Sequence, residues 1–273
     1  MMLGAIIYRL RACNAGLLPI THGRFMHAAF FAALQQASPE LATAIHDNVQ
    51  AKPFTVSQLQ FMQPITLTKD KKNHIISQGC CCKWRVTGWN DEILQILLNL
   101  PLGSEIMVGK INFIVERIVV NQTQDNSAGL VNIDDFMAKG LSVGRVKEIE
   151  FEFLAPVSFR SYKDDYPLPL PDFIWGSLCS KWNQLGTNVL LDENKIKTLA
   201  STFLPLSWQG QTKKLFLAKD RGILAFEGKF SFSVKEINSE EQTIIFLLAQ
   251  FAFFAGVGRL TSQGLGQTVI NFK

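Results

Sequence analysis

Residues 239–273 read SEEQTIIFLLAQFAFFAGVGRLTSQGLGQTVINFK. Ser239 to Ala255 is apolar beyond its charged start and predicts a buried helix, and Gln267 to Phe272 predicts a closing strand. Between them, Gly256, Gly258, Gly264 and Gly266 form two Gly-x-Gly pairs around Arg259. Glycines at this spacing let the backbone take positive φ and approach another backbone closely, and exposed N–H groups there can hold phosphate oxygens. A glycine-eased turn from helix to strand explains the same residues. The glycines follow a helix and precede a strand, the reverse of a dinucleotide-binding turn, and no Gly-Lys-Ser/Thr follows, so neither a Rossmann fingerprint nor a P-loop fits. The apolar run from Ile244 to Val257 is interrupted by Gln250 and is shorter than the roughly 18–20 residues a membrane span needs.

Working outward, Leu215 to Phe226 and Lys229 to Ile237 predict a hairpin, Pro169 to Leu185 a helix and Glu148 to Phe159 a strand. The first half offers a similar cycle. Leu3 to Ala12 predicts a strand, Gly23 to Gln36 a helix, and SPELATAIHD, with Ser38 as N-cap and Pro39 at the first helical position, a second helix ending near His46. Phe54 to Phe61 and Cys80 to Trp89 predict strands, Asp91 to Leu100 a helix capped by Asn90, and Glu105 to Val120 one or two strands. The polar stretch NQTQDNSAG, residues 121–129, predicts the boundary. The expectation is an α+β chain of two tandem ferredoxin-like (RRM-like) domains, 1–125 and 126–273, each an antiparallel sheet with helices packed on one face.

With 273 residues, 47% hydrophobic and 18% charged, the chain can bury substantial cores, and disorder is excluded. The formal charge of +4 permits a polyanionic partner without requiring one. Five cysteines, with Cys80, Cys81 and Cys82 consecutive, make neither a disulfide framework nor a zinc pattern. The N-terminus has no clear secretory signal, and a reducing cytoplasmic location is expected.

Gly-hydrophobic-Gly, five residues including a basic one, then Gly-hydrophobic-Gly resembles the signature loop of the Cas6 family of CRISPR-associated endoribonucleases, within the RAMP superfamily. SPELATAIHDNVQAKPFTVSQL, residues 38–59, resembles that family's segment in which a short helix ends in Leu/Ile-His before a linker, Lys and Phe-Thr. APVSFRSYKDDYPLPLPDFIWGSLCSKWNQL also has the look of the family. The resemblance implies a metal-independent endoribonuclease without cofactor that binds CRISPR repeat RNA and cleaves precursor crRNA by 2′-hydroxyl attack, leaving a 2′,3′-cyclic phosphate. A noncatalytic repeat-RNA binder or effector-complex subunit is the alternative. Effector subunits and a second copy of the chain are further candidate partners.

Histidine suits proton transfer near neutral pH, and lysine or arginine stabilises charge building on phosphate. His46 and Lys52 match the family's catalytic positions. The family often adds a tyrosine on the preceding helix, but fifteen residues before His46 this chain has Phe31, which cannot exchange a proton. His22 or His27 could substitute. A histidine in the last turn of a helix also favours the helix dipole, so the residues alone leave His46 two roles. Arg259, Arg160, Arg145, Lys163, Lys213, Lys214 and the lysines of the TKDKKNH run, Lys69, Lys71 and Lys72, join Gly256, Gly258, Gly264 and Gly266 as candidate RNA contacts. Lys83, Trp84, Arg85 and Trp89 alternate basic and aromatic character, as either a base-stacking strand or a buried Trp pair would. Convincing metal ligands are absent from the sequence.

Overall fold

A computed structural model describes residues 1–48, 52–142, 144, 146–218, 221–234 and 237–273. The chain divides into two compact units, Met1–Leu130 with Ser262–Gly264, and Val131–Thr261 with Leu265–Lys273.

The elements of the first are β1 (Met2–Ala12), β2 (Gly16–Pro19), α1 (Gly23–Ala37), α2 (Pro39–Asp47), β3 (Phe54–Val56), β4 (Gln60–Phe61), β5 (Asn73–Ile76), β6 (Cys81–Gly88), α3 (Asp91–Leu98), β7 (Glu105–Val108) and β8 (Ile111–Val119), after which β9 (Gly129–Asn132) leads out. Its main sheet runs β3-β6-β1-β8-β7, with β4 also on β6. The four principal strands thus take the spatial order second, third, first, fourth, all antiparallel. That is the ferredoxin-like arrangement. Ser38 and Asn90 cap α2 and α3 through hydrogen bonds from Leu41 N and Ile93 N. Phe30 stacks on Phe54 at 3.8 Å, and Tyr8 meets Trp84 at 5.6 Å while its hydroxyl donates to the Leu97 carbonyl.

The second unit continues with α4 (Ile133–Leu141), β10 (Glu148–Val157), β11 (Phe159–Ser161), β12 (Asp164–Tyr166), α5 (Pro171–Trp182), α6 (Glu193–Ala200), β13 (Leu204–Ala218), β14 (Arg221–Ser233), α7 (Ser239–Ala255) and β15 (Thr268–Phe272). Its sheet order β13-β14-β10-β15 repeats second, third, first, fourth. Trp175 forms the aromatic centre, edge-on to Phe151 and Phe203 at 5.2 Å each. Asn238 and Glu241 make a reciprocal capping box at the start of α7. Among the described residues no helix is long and apolar enough to cross a membrane.

One expectation is corrected, and one open alternative is decided. The long hairpin does not turn at Gly228, because Gly228 lies directly opposite Gly210 within paired strands whose register runs on to Ala218 opposite Arg221. A Cβ on Gly228 would come within 2.0 Å of the Gln209 carbonyl oxygen, so this glycine permits close approach of two strands instead of reversing the chain. The basic-aromatic strand is no stacking platform. Trp84 is fully buried against Tyr8, Arg85 is buried with its Nε donating to the Ser127 carbonyl, and Lys83 pairs with Asp125, which also binds Arg9.

A buried lysine on α5 was invisible to pattern reading. Lys181 Nζ donates to the carbonyls of Ala255 (3.1 Å) and Gly256 (2.8 Å), closing the C-terminus of α7 where helix carbonyls lack partners and the dipole is negative. Burial pulls its ammonium down to about 7 from the ordinary 10.5.

Two outcomes are expected. Trp84→Ala lowers stability by about 3–5 kcal/mol in denaturant unfolding, as loss of a buried aromatic does, where a stacking role would leave stability intact. The unfolded chain holds the Lys181 proton up to about pH 10.5 while the folded one releases it near 7, so stability rises with pH across that window. Lys181→Met flattens this rise in unfolding curves collected between pH 7 and 10; an unchanged slope contradicts the assignment.

Candidate functional site

The end of α2 carries the candidate site. His46 stands in its last turn, with its side chain 74% exposed and Nδ1 3.2 Å from Asp47 Oδ1. A cleft of about 370 Å³ opens beside it, lined by Phe31, Ala32 and Gln35 from α1 and Ala42, Thr43, His46 and Asp47 from α2. Phe31 presents its ring edge-on to His46 at 5.8 Å, occupying the place where a tyrosine hydroxyl was sought.

Lys52 is beside His46 in a different role from the one its sequence position suggests. Its Nζ donates to the carbonyls of Ile45 (2.6 Å), His46 (2.8 Å) and Asn48 (2.6 Å). An ammonium has three hydrogens, and all three go to the exposed carbonyl end of α2. Desolvation lowers its pKa, partly offset by Asp47. Lys52 therefore fixes the helix end that presents His46.

His27, one turn before Phe31, is one of the two histidines that could substitute for the tyrosine the chain lacks. Its ring lies 4.8 Å from Phe31 and stacks on Phe54 at 5.9 Å. Its Nδ1 is 2.8 Å from the Ser262 carbonyl oxygen. A carbonyl only accepts, so Nδ1 carries the hydrogen and the neutral ring keeps its lone pair on Nε2. Burial lowers the His27 pKa, with Lys52, His46 and Arg24 adding smaller pushes in the same direction and the Ser262 bond opposing them. A neutral imidazole of set tautomer and an exposed one thus flank Phe31.

His22 is not part of this group. It is 2% exposed, its Nδ1 lies 3.0 Å from the Pro19 carbonyl and its Nε2 accepts from Leu59 N at 2.8 Å. Burial drives its pKa to about 4. With both nitrogens engaged, it ties the loop before α1 to the segment after β3 and has no lone pair left for a substrate.

The glycine-rich turn keeps its glycines for packing. Gly256, Gly258, Gly264 and Gly266 all have positive φ. The N–H groups of Gly256, Gly258 and Gly266 donate to Ala252 O, Ser177 Oγ and Pro156 O, so these three amides do not form a phosphate cradle. A Cβ on Gly258 would lie 2.5 Å from the Ser158 carbonyl oxygen, which explains the glycine there. Within the first unit, a Cβ on Gly264 would lie 3.1 Å from the Gly23 Cα, and a Cβ on Gly23 would meet the Gln263 carbonyl oxygen at 1.8 Å. The backbone contact of Gly23 with Gln263 and Gly264 sets Ser262 against His27.

The basic candidates do not share one surface. Lys69, Lys71 and Lys72 share the turn leading into β5, which Asp70 braces by accepting from Thr68 Oγ1 and Lys72 N. Arg160 is exposed on β11. Arg259, at 20% side-chain exposure, pairs through Nη1 with Asp165 on β12. Arg145 lies outside the described residues. Among the described residues no group of three or more His, Cys, Asp or Glu could hold a metal ion.

A family model of the Cas6 N-terminal domain matches residues 10–129, and one of the CRISPR-associated endoribonuclease Cas6 matches residues 151–268. No curated protein matches the chain. Among solved structures, Thermus thermophilus Cas6 aligns with a TM-score of 0.71 at 22% identity, covering 99% of this chain and 98% of that one. A complex of the same protein with its product aligns at 0.79 and 24%, covering 99% of each. A Cas6-related protein from Pyrococcus furiosus aligns at 0.65 and 15%, covering 98% of each. At these identities the structures speak for the fold. The two family matches span most of both units, and on them the chain belongs to the Cas6 family of CRISPR-associated endoribonucleases.

Proposed function

We propose that this chain cleaves CRISPR repeat RNA within precursor crRNA by metal-independent transesterification at the α1–α2 cleft. The observation that carries the reading is the pair of imidazoles on either side of Phe31, His27 at 4.8 Å and His46 at 5.8 Å from its ring. His27 Nε2 accepts the proton of the 2′-hydroxyl, whose oxygen attacks the adjacent phosphorus. As the bond from phosphorus to the 5′-oxygen breaks, His46 protonates that oxygen. The products are a 2′,3′-cyclic phosphate and a 5′-hydroxyl, with protons balanced between the two rings. Lys52 acts by holding the end of α2. Lys69, Lys71, Lys72, Arg160 and Arg259 are the candidate phosphate contacts. That a relative was captured with its product supports an RNA strand as ligand here.

A second reading, a repeat-RNA binder or effector-complex subunit without cleavage, is favoured by Phe31, which lines the cleft and cannot exchange a proton. Labelled repeat RNA that is bound tightly and left intact by the pure protein selects this reading.

On the first reading, His46→Ala and His27→Ala each lower single-turnover cleavage at least about tenfold with RNA affinity nearly kept, a loss in the range of general acid or base catalysis. Equal cleavage by wild type and His46→Ala moves the acid elsewhere. A base works only when neutral, so cleavage falls as pH drops through the His27 pKa. Because burial lowers that pKa, the acid limb of the rate profile has its midpoint below 6.5. A midpoint above 6.5 that persists in His27→Ala excludes His27 as the base.

A further inference from the structure

In the second unit, β11 and β12 form a small antiparallel ribbon with Phe159 opposite Tyr166, Arg160 opposite Asp165 and Ser161 opposite Asp164. Two residues, Tyr162 and Lys163, make its turn. Tyr162 has φ of 54° and Lys163 does not have positive φ, so the turn asks for glycine at its first central position. A tyrosine stands there instead, at a backbone conformation that disfavours it, with its side chain 99% exposed. Folding gains nothing from an aromatic ring held wholly in water.

The ribbon beneath it is held without help from Tyr162. Phe159 is buried and stacks on Phe173 at 5.5 Å, Tyr166 packs on the same ring at 4.9 Å, and Asp165 pairs with Arg259. The Arg259 N–H donates to the Ser158 carbonyl at the root of the ribbon. Above this base, Arg160 and Lys163 are exposed and make no ion pair among the described residues; Arg160 Nη2 reaches only the Lys163 carbonyl, at 3.3 Å. An anchored stem thus presents one aromatic ring between two exposed cations that make no ion pair among the described residues, the combination that single-stranded nucleic acid recognises, because every base has a π-face and every linkage a charge.

We propose that Tyr162 stacks on an unpaired base of the bound RNA while Arg160 and Lys163 engage the neighbouring phosphates. This rests on the reading that the chain binds repeat RNA, and names a contact of that interaction.

The test measures equilibrium binding of single-stranded repeat RNA across a salt series for wild type, Tyr162→Ala, Tyr162→Phe, and the double variant Arg160→Ala with Lys163→Ala. Stacking on one base corresponds to an affinity loss of about 5- to 150-fold on alanine substitution. Tyr162→Ala therefore weakens binding by that factor with an unchanged salt slope, Tyr162→Phe binds as wild type, and the double variant loses slope by about 1.4. A fluorescent 2-aminopurine placed along the RNA is quenched at one position by wild type and not by Tyr162→Ala. If wild type binds and Tyr162→Ala binds equally at every salt concentration, the stacking contact is overturned while RNA binding stands. Wild type that binds no repeat RNA overturns both. Since Tyr162 is exposed, Tyr162→Gly, which relieves the backbone conformation, serves as a well-folded second variant and loses the same affinity.

Discussion

The proposed chemistry depends on one hydrogen bond, from His27 Nδ1–H to the Ser262 carbonyl oxygen, between residues 235 positions apart. It decides which nitrogen of His27 holds the lone pair, and hence at which side of the ring a proton can be taken. The bond exists because Gly23 lets the start of α1 lie against the Gln263 and Gly264 backbone, where any Cβ would strike a carbonyl. Lys52 serves His46 comparably by filling the open carbonyls at the end of α2. Positioning in this protein is thus done by backbone carbonyls, and the cations and glycines around the site are there to arrange them.

The fold was legible because its signals are local. Caps at Ser38 and Asn90, the helical spacing of α1 and the strand-helix-strand order of both halves need only neighbouring residues to be read. The long hairpin was misjudged where the signal was ambiguous: a glycine can reverse a chain or admit a partner strand, and Gly228 does the second only because Gly210 lies opposite. Helices α4 and α6 were missed, as each is short and bounded by polar residues.

The site was legible to a lesser degree. His46 was identified through its surroundings in sequence, whereas the part given to His27 is set by a carbonyl far along the chain. His22 looked like a loop histidine free for chemistry; nothing nearby in sequence announces that Pro19 and Leu59 take up both of its nitrogens. Likewise Lys181 reads as an ordinary surface lysine of α5 until α7 ends on it. Tyr162 shows the converse: the cations Arg160 and Lys163 beside it are legible in sequence, but only its exposure and backbone conformation single out the ring itself.

The chemistry is tested most directly by incubating the pure protein with repeat RNA in EDTA and identifying the ends of the products, beside an otherwise identical RNA carrying a single 2′-deoxy sugar at the scission site. Cleavage that persists in EDTA, yields a cyclic phosphate and a 5′-hydroxyl, and stops at the deoxy sugar is the predicted result. Cleavage that requires a divalent cation, or that proceeds through the deoxy sugar, contradicts it.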